Sequence, residues 1–338
     1  MESLATKYRP KTFDDVVSQS SIVKILDRQL ELKEFKNAYL FAGASGCGKT
    51  TCARIFANRI NNGAGSPIEI DAASNNGVDN VKNIIKEANE RAIDSEYKIY
   101  IIDECHSLTS QAWQAFLKCI EEPPRYTIFI FCTTDPQKIP DTIKNRVQKY
   151  VFNRIGIDKI RDRLIYICKQ EGFTNYVEAV DYLAKISEGG MRTAISYLDK
   201  CSSYSTDLTI SNVLSSLGNY SYDTFFSLIN AMIDGDEASV LKLISEFYDE
   251  GNDLKLFVDQ FLNFCIDVTK YALFRSTTLT RIPMSMEDRL QASTNFDNAS
   301  GYYTYVIDRL LNLKNMLKSD NSPRSTIEIV FLQITRCV

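Results

Sequence analysis

The first 153 residues alternate between short apolar runs and amphipathic stretches. Ala38–Ala42, Tyr97–Ile102 and Thr127–Cys132 run apolar without alternation, so both faces of each predicted strand are buried, as in a parallel sheet. Ile68–Ile70 and Gln148–Phe152 add two shorter strands. Between them, apolar positions recur at helical spacing. Ile22, Leu26 and Leu30 lie on one face of Ser20–Leu32, and a second helix is predicted over Thr51–Ile60. Val78, Val81, Ile84, Ile85 and Ala88 share a face of a third, whose opposite face carries Lys82, Lys86 and Arg91. Trp113, Phe116, Leu117 and Ile120 lie on Ser110–Glu121, which Pro123-Pro124 stops. A short helix is predicted around Pro140–Arg146. Residues 4–19 are expected to form a leader that Pro10 keeps extended. Strand and helix in alternation predict a doubly wound α/β domain over residues 1–153.

Beyond residue 153 no strand pattern appears. Helices are predicted over Asp158–Glu171, Tyr176–Ser187 and Met191–Cys201, with a polar linker over Ser202–Asp207. Six further amphipathic helices follow: Tyr222–Ile233, Asp236–Glu250, Asp253–Phe274, Met286–Ala292, Tyr302–Lys318 and Pro323–Arg336. The chain thus divides into residues 1–153, a small helical domain over 154–203, and a larger helical domain over 204–338. Helical bundles of the last kind pack or oligomerise.

The chemistry sits in the first domain. Gly43-Ala44-Ser45-Gly46-Cys47-Gly48-Lys49-Thr50 is a phosphate-binding loop between a predicted strand and the helix opening at Thr51. Its glycines let backbone N–H groups face phosphate oxygens, and the helix N-terminus adds partial positive charge. Lys49 would reach the outer phosphates and Thr50 would ligate Mg²⁺. The Tyr97–Ile102 strand runs into Asp103-Glu104, one carboxylate for Mg²⁺ and one to polarise water. Thr134, just past the fourth strand, is expected beside the γ-phosphate, because ligands bind at the carboxyl ends of such strands. Arg192 falls in the first turn of a helix, where the dipole disfavours a cation, so it is either bound to a group such as a phosphate or simply solvated. His106 is the only histidine; its place just after the two carboxylates suggests a catalytic role, but the sequence favours the plainer reading of a polar residue starting the next turn.

Bulk numbers narrow the partners. The net charge is −4, which excludes a globally basic nucleic-acid coat and leaves only a local patch. Nine cysteines are scattered with no C-x-x-C pair, which points to a reduced compartment without a zinc site or disulfide framework. No signal peptide or long apolar run suggests a membrane. A cytoplasmic protein is expected.

These residues together resemble the ATPase subunits of DNA sliding-clamp loaders, within the AAA+ class. The nearest likeness is to the tau/gamma subunits of bacterial DNA polymerase III; the small subunits of replication factor C are more distant. The matching pieces run in order from Lys7-Tyr8-Arg9-Pro10 and Phe13-Asp14-Asp15-Val16-Val17, through the phosphate loop, Asp71–Gly77, Asp103-Glu104 and Leu117–Pro124, to Thr133–Pro140 and Gly190-Met191-Arg192. The C-terminal residues match only in being helical.

The resemblance implies an AAA+ ATPase domain, a helical lid and a C-terminal helical collar. It implies an adenine pocket lined by Tyr8, Arg9, Pro10 and Val17, with Thr134 and Arg192 as the two sensors. It makes Arg146 an arginine finger acting in trans on a neighbouring subunit's ATP, although the family's Ser-Arg-Cys is Asn145-Arg146-Val147 here. Val78 and Val81 are candidates to touch the clamp, and Lys82, Lys86 and Arg91 to touch DNA phosphates, the alternative being a solvated helix face. Bacterial relatives carry a four-cysteine zinc module after the phosphate-loop helix; residues 53–67 contain no cysteine, so no zinc is expected. A tail that binds polymerase or helicase is not expected either. The partners implied are ATP with Mg²⁺, a sliding clamp, primer–template DNA, and other subunits in a five-membered ring with several copies of this chain. Two rival readings are a non-hydrolysing scaffold of such an assembly and another AAA+ DNA motor, such as a branch-migration helicase.

Overall fold

The computed structural model describes residues 2–318, 320 and 322–336; Cys337 and Val338, the end of the predicted third domain, lie outside the described residues. The elements in chain order are α1 (Leu4–Lys7), α2 (Ser20–Leu32), β1 (Ala38–Gly43), α3 (Lys49–Ile60), β2 (Ile68–Asp71), α4 (Val78–Ala88), β3 (Lys98–Asp103), α5 (Ser110–Glu121), β4 (Thr127–Thr133), α6 (Asp141–Lys144) and β5 (Gln148–Phe152). All later elements are helical: α7 (Ile157–Glu171), α8 (Tyr176–Ile186), α9 (Met191–Tyr204), α10 (Ile210–Leu217), α11 (Tyr222–Ile233), α12 (Glu237–Asp249), α13 (Leu254–Phe274), α14 (Glu287–Ser293), α15 (Ala299–Met316) and α16 (Pro323–Thr335).

The chain forms two compact units, one of residues 1–167 with 187–199, the other of 168–186 with 200–338. Residues of the predicted lid, 154–203, fall partly in each.

The first unit is built on a five-stranded sheet in the order β2-β3-β4-β1-β5, and every adjacent pair is parallel. The non-alternating runs behave as their patterns predict. All seven residues of β4 and the first five of β1 are buried, as are Ile99–Ile102 of β3. One face packs Phe41, Ile101 and Ile130 against Leu26 and Phe56; the other packs Tyr100, Phe129 and Phe131 against Trp113 and Phe116.

The leader departs from expectation. It is not extended throughout, because Leu4–Lys7 makes one helical turn and Phe13–Asp15 a 3-10 turn capped by Thr12 and Asp15. Buried Leu4 and Phe13 supply the reason: two apolar anchors nine residues apart draw the segment onto the core. Helix α4 stops at Ala88, so Arg91 lies beyond it rather than on its polar face. Its guanidinium sits 4.8 Å from the centroid of the Tyr126 ring, a cation–π contact. Val81 is fully buried, so its side chain is part of the core and not a surface for a partner. Val78 is partly exposed, and Lys82 and Lys86 are exposed.

The second unit is helical. Helix α9 runs on to Tyr204, which shortens the predicted linker, and α10 fills a stretch for which no helix was expected, its start capped by the Thr209 hydroxyl. Stacked and tilted phenylalanines (Phe225, Phe257, Phe261, Phe264 and Phe331) make its centre. One charge lies inside it. Asp267 is 2% exposed, yet it accepts from Lys270 Nζ at 3.0 Å, Arg281 Nε at 3.0 Å and the Arg281 backbone N–H at 3.2 Å. Both cations are about one-third exposed, so water shares in stabilising the network. Removing the carboxylate leaves a buried backbone donor and two cations without their acceptor. Asp267→Ala is expected to lower unfolding stability by about 2–4 kcal/mol in urea titrations, and Asp267→Asn by roughly half as much, because it keeps one acceptor oxygen.

Candidate functional site

The carboxyl ends of the strands converge. Asp71 of β2 pairs in register with Asp103 of β3, and Gly43 of β1 pairs with Phe152 of β5. The loop leaving β1 can turn there only because two of its residues, Gly43 and Gly46, lack side chains. A Cβ on Gly43 would lie 2.3 Å from the Phe152 carbonyl oxygen. Gly46 has φ +72° and a Cβ there would lie 3.0 Å from the Gly190 Cα, while its carbonyl accepts the Met191 N–H at 3.0 Å. Helix α3 starts at Lys49, directly after the loop, so the unpaired N–H groups of its first turn face the same hollow.

Lys49 is 6% exposed, and its ammonium donates to the carbonyls of Gly43 and Ala44 at 2.8 and 2.9 Å. The Thr50 hydroxyl donates to Asp103 Oδ2 at 2.8 Å, and Asp103 Oδ1 accepts the Glu104 N–H at 3.0 Å. Glu104 adopts φ +47°, a left-handed conformation uncommon outside glycine and asparagine, which turns the chain sharply after β3. Its Oε2 accepts from the Thr134 hydroxyl at 3.0 Å and lies 3.3 Å from His106 Nδ1. His106 Nδ1 is also 3.3 Å from Thr133 Oγ1, and that hydroxyl accepts the Asp135 N–H.

One cleft gathers most of the residues singled out from the sequence. Tyr8, Arg9, Pro10 and Val17 line it from the leader; Ser45 through Thr51, Asp103 and Glu104 line it from the strand ends; Arg192 lines it from the first turn of α9. Thr134 joins through its bond to Glu104. The Cys47 thiol is no nucleophile: it is buried, and burial pushes it above the ordinary thiol range.

Arg146 is placed apart. It precedes β5, and its neighbours are the start of β1 and the end of α5, so it lies at the sheet edge opposite the phosphate loop. The length of β1 separates the two by about 16 Å. Its Nε forms an ion pair with Glu121 Oε1 at 2.7 Å, and its Nη1 donates to the Thr142 carbonyl at 2.8 Å.

Three further residues stand at or beside the cleft. Arg163 donates to the Tyr8 carbonyl at 3.0 Å and lines the cleft. Gln19, 8% exposed, bridges the Cys47 and Asn153 carbonyls at 3.3 and 2.7 Å and accepts the Asn153 N–H, tying the loop to the end of β5. His106 does sit in a turn, over Cys105–Ser107, as its reading from the sequence has it, and its ring also lies 3.3 Å from Glu104. A polar residue next to a motif was the one available signal for His106; nothing local marks the other two.

Among the described residues no group of three or more His, Cys, Asp or Glu side chains is arranged to hold a metal, and no helix is long and apolar enough to cross a membrane.

Comparison with known proteins agrees with this layout. Residues 67–156 match the family described as "DNA polymerase III, delta subunit", and residues 208–333 the one described as "DNA polymerase III subunits gamma and tau domain III". The tau subunit of DNA polymerase III from Bacillus subtilis is 33% identical over 98% of this chain and 63% of its own length. The Escherichia coli tau subunit is 34% identical over 72% of this chain and 41% of its own length. The chain therefore spans roughly half the length of these curated relatives. Among solved structures, the RuvB Holliday junction branch migration motor of Thermotoga maritima superposes with a TM-score of 0.52 at 18% identity, covering 67% of this chain and 79% of that one, which shows the AAA+ fold alone. On the sequence it shares with its relatives, the chain belongs to the family of the gamma and tau subunits of DNA polymerase III.

Proposed function

We propose that this chain is the ATP-hydrolysing motor subunit of a DNA sliding-clamp loader. The observation that carries the reading is the Thr50–Asp103 contact with Glu104 beside it. A hydroxyl and a carboxylate 2.8 Å apart are hard oxygen donors of the kind Mg²⁺ takes while keeping waters and phosphate oxygens as its other ligands. Bound Mg²⁺ supplies charge neutralisation at the outer phosphates. The chain's own groups do the rest. Lys49 exchanges its carbonyl partners for phosphate oxygens, and the first turn of α3 adds N–H donors. Glu104 orients and polarises the attacking water. Thr134 and Arg192 meet the γ-phosphate, and Tyr8, Arg9, Pro10 and Val17 enclose the base.

Arg146 lies too far from its own loop to serve it, which supports a role on the ATP of a neighbouring copy. Hydrolysis would then depend on assembly. In this reading residues 1–153, 154–203 and 204–338 act as ATPase domain, lid and collar of a cytoplasmic five-membered ring holding several copies of the chain. ATP binding favours the state that grips and opens the clamp. Primer–template DNA triggers hydrolysis, and the closed clamp is released. Lys82 and Lys86 are available for DNA phosphates, and Val78 for the clamp. A complete set of nucleotide groups argues against a non-hydrolysing scaffold.

Two measurements test the reading. Steady-state ATPase is expected to rise strongly only when primed DNA and the cognate clamp are both present. Glu104→Gln should lower it about 100-fold or more, and Arg146→Ala about 1000-fold in the assembled ring, with ATP binding by either variant retained. Turnover indifferent to the clamp would sink the clamp-loader assignment. Separately, Gly46→Ala should weaken binding of a fluorescent ATP analogue by at least about tenfold, because the new methyl meets the Gly190 backbone at a positive φ. Unchanged affinity would show that the loop is not the phosphate site.

A further inference from the structure

We infer that His106 is a positioning residue for Glu104, holding its carboxylate in line through an Nδ1–H donor. The inference rests on the reading of Glu104 as the group that polarises water. Three observations carry it. His106 follows β3 in a 3-10 turn over Cys105–Ser107, and its side chain is only 19% exposed. The same ring nitrogen lies 3.3 Å from Glu104 Oε2 and 3.3 Å from Thr133 Oγ1. Glu104 itself is held in a left-handed backbone conformation, so its side chain leaves the strand end in a direction set by the fold.

The chemistry of the partners fixes the proton. An ionised carboxylate only accepts hydrogen bonds, so an Nδ1 facing it makes a bond only when it carries the hydrogen. Thr133 Oγ1, which takes the Asp135 N–H, keeps a second lone pair for the same donor. Nδ1–H thus faces both a carboxylate oxygen and a hydroxyl, each 3.3 Å away in this structure and able to tighten into a hydrogen bond. The other donor to Glu104 Oε2 is the Thr134 hydroxyl. When that hydroxyl turns to the γ-phosphate, as the proposed mechanism requires, His106 is the donor that remains on the carboxylate oxygen. A carboxylate tethered on one oxygen keeps the other directed at water. Without the tether it samples orientations that do no work, and the loss falls on turnover rather than on nucleotide binding.

The test compares His106→Leu, His106→Asn and Glu104→Gln in the assembled, DNA- and clamp-stimulated ATPase. His106→Leu is expected to lower kcat about 10- to 100-fold with KM for ATP changed less than about twofold. His106→Asn, whose side-chain amide N–H can replace Nδ1–H, should recover most of that loss. As the only histidine, His106 also gives one imidazole signature in ¹⁵N NMR, expected at alkaline pH to show Nδ1 as the protonated nitrogen and to shift in Glu104→Gln. Wild-type kcat in His106→Leu beside an inactive Glu104→Gln overturns the inference and leaves the role of Glu104 standing. Equal loss in the Leu and Asn variants, or an Nε2-protonated ring, overturns it as well. An active Glu104→Gln overturns the reading of Glu104 and this inference with it.

Discussion

The arrangement of the site depends on β4. All of Thr127–Thr133 is buried, and the strand is paired on both edges, with β1 on one side and β3 on the other. A strand enclosed in this way cannot slip by one residue without sending each side chain to the opposite face. Strands stand about 4.8 Å apart, so β1 and β3 are held roughly 10 Å from each other across the end of β4. The loop leaving β1 therefore opens toward the carboxylates that end β3. The first turn of α3 spans the remaining gap, and the 2.8 Å contact between Thr50 and Asp103 is the result. Thr133 and Thr134, at the end of the spacer strand, fall between the two and reach His106 and Glu104.

A second constraint is the close approach of backbones. Gly46 and Gly190 face each other so tightly that a methyl on Gly46 would lie 3.0 Å from the Gly190 Cα, and the Gly46 carbonyl receives the N–H of Met191. The phosphate loop thereby fixes where α9 begins, and with it Arg192 in the first turn. That resolves the oddity of a cation at a helix N-terminus: the residue is placed by the loop it faces, not by helix preference. Gln19 fastens the same loop from its other side, through Cys47 and Asn153. A short backbone link keeps the phosphate loop and Arg192 around one cleft.

Most of this frame was legible in the sequence, because doubly buried parallel strands lack alternation and the glycine spacing of the loop has few other uses. The strand order was not, since periodicity carries no information on which strand lies beside which. Val81 shows a further limit. Its spacing put it correctly on the apolar face of α4, and the same residue could not also serve a partner, because that face is the core. Arg91 failed for lack of a stop signal: no glycine or proline follows Ala88, and the chain simply leaves the helix there. Gln19 was missed for another reason. Its partners, Cys47 and Asn153, are 28 and 134 residues distant in sequence, so only the fold brings them together.

The role proposed for Arg146 on a neighbour's ATP fits the light hold its own subunit has on it. Its contact with Glu121 joins two side chains that are each about 40% exposed, and such pairs are worth only about 0–1 kcal/mol. The second contact, to the Thr142 carbonyl, lies one helical turn back and sets the direction of the side chain. Together they narrow the search of a long, flexible side chain at little cost to its release, which is what a cation reaching a neighbouring phosphate requires. The changed triplet does not oppose this. Val147 packs against the core beside Ile143, an apolar contact a cysteine would also make, so the difference from Ser-Arg-Cys is absorbed on the inner side while Arg146 keeps its place at the surface.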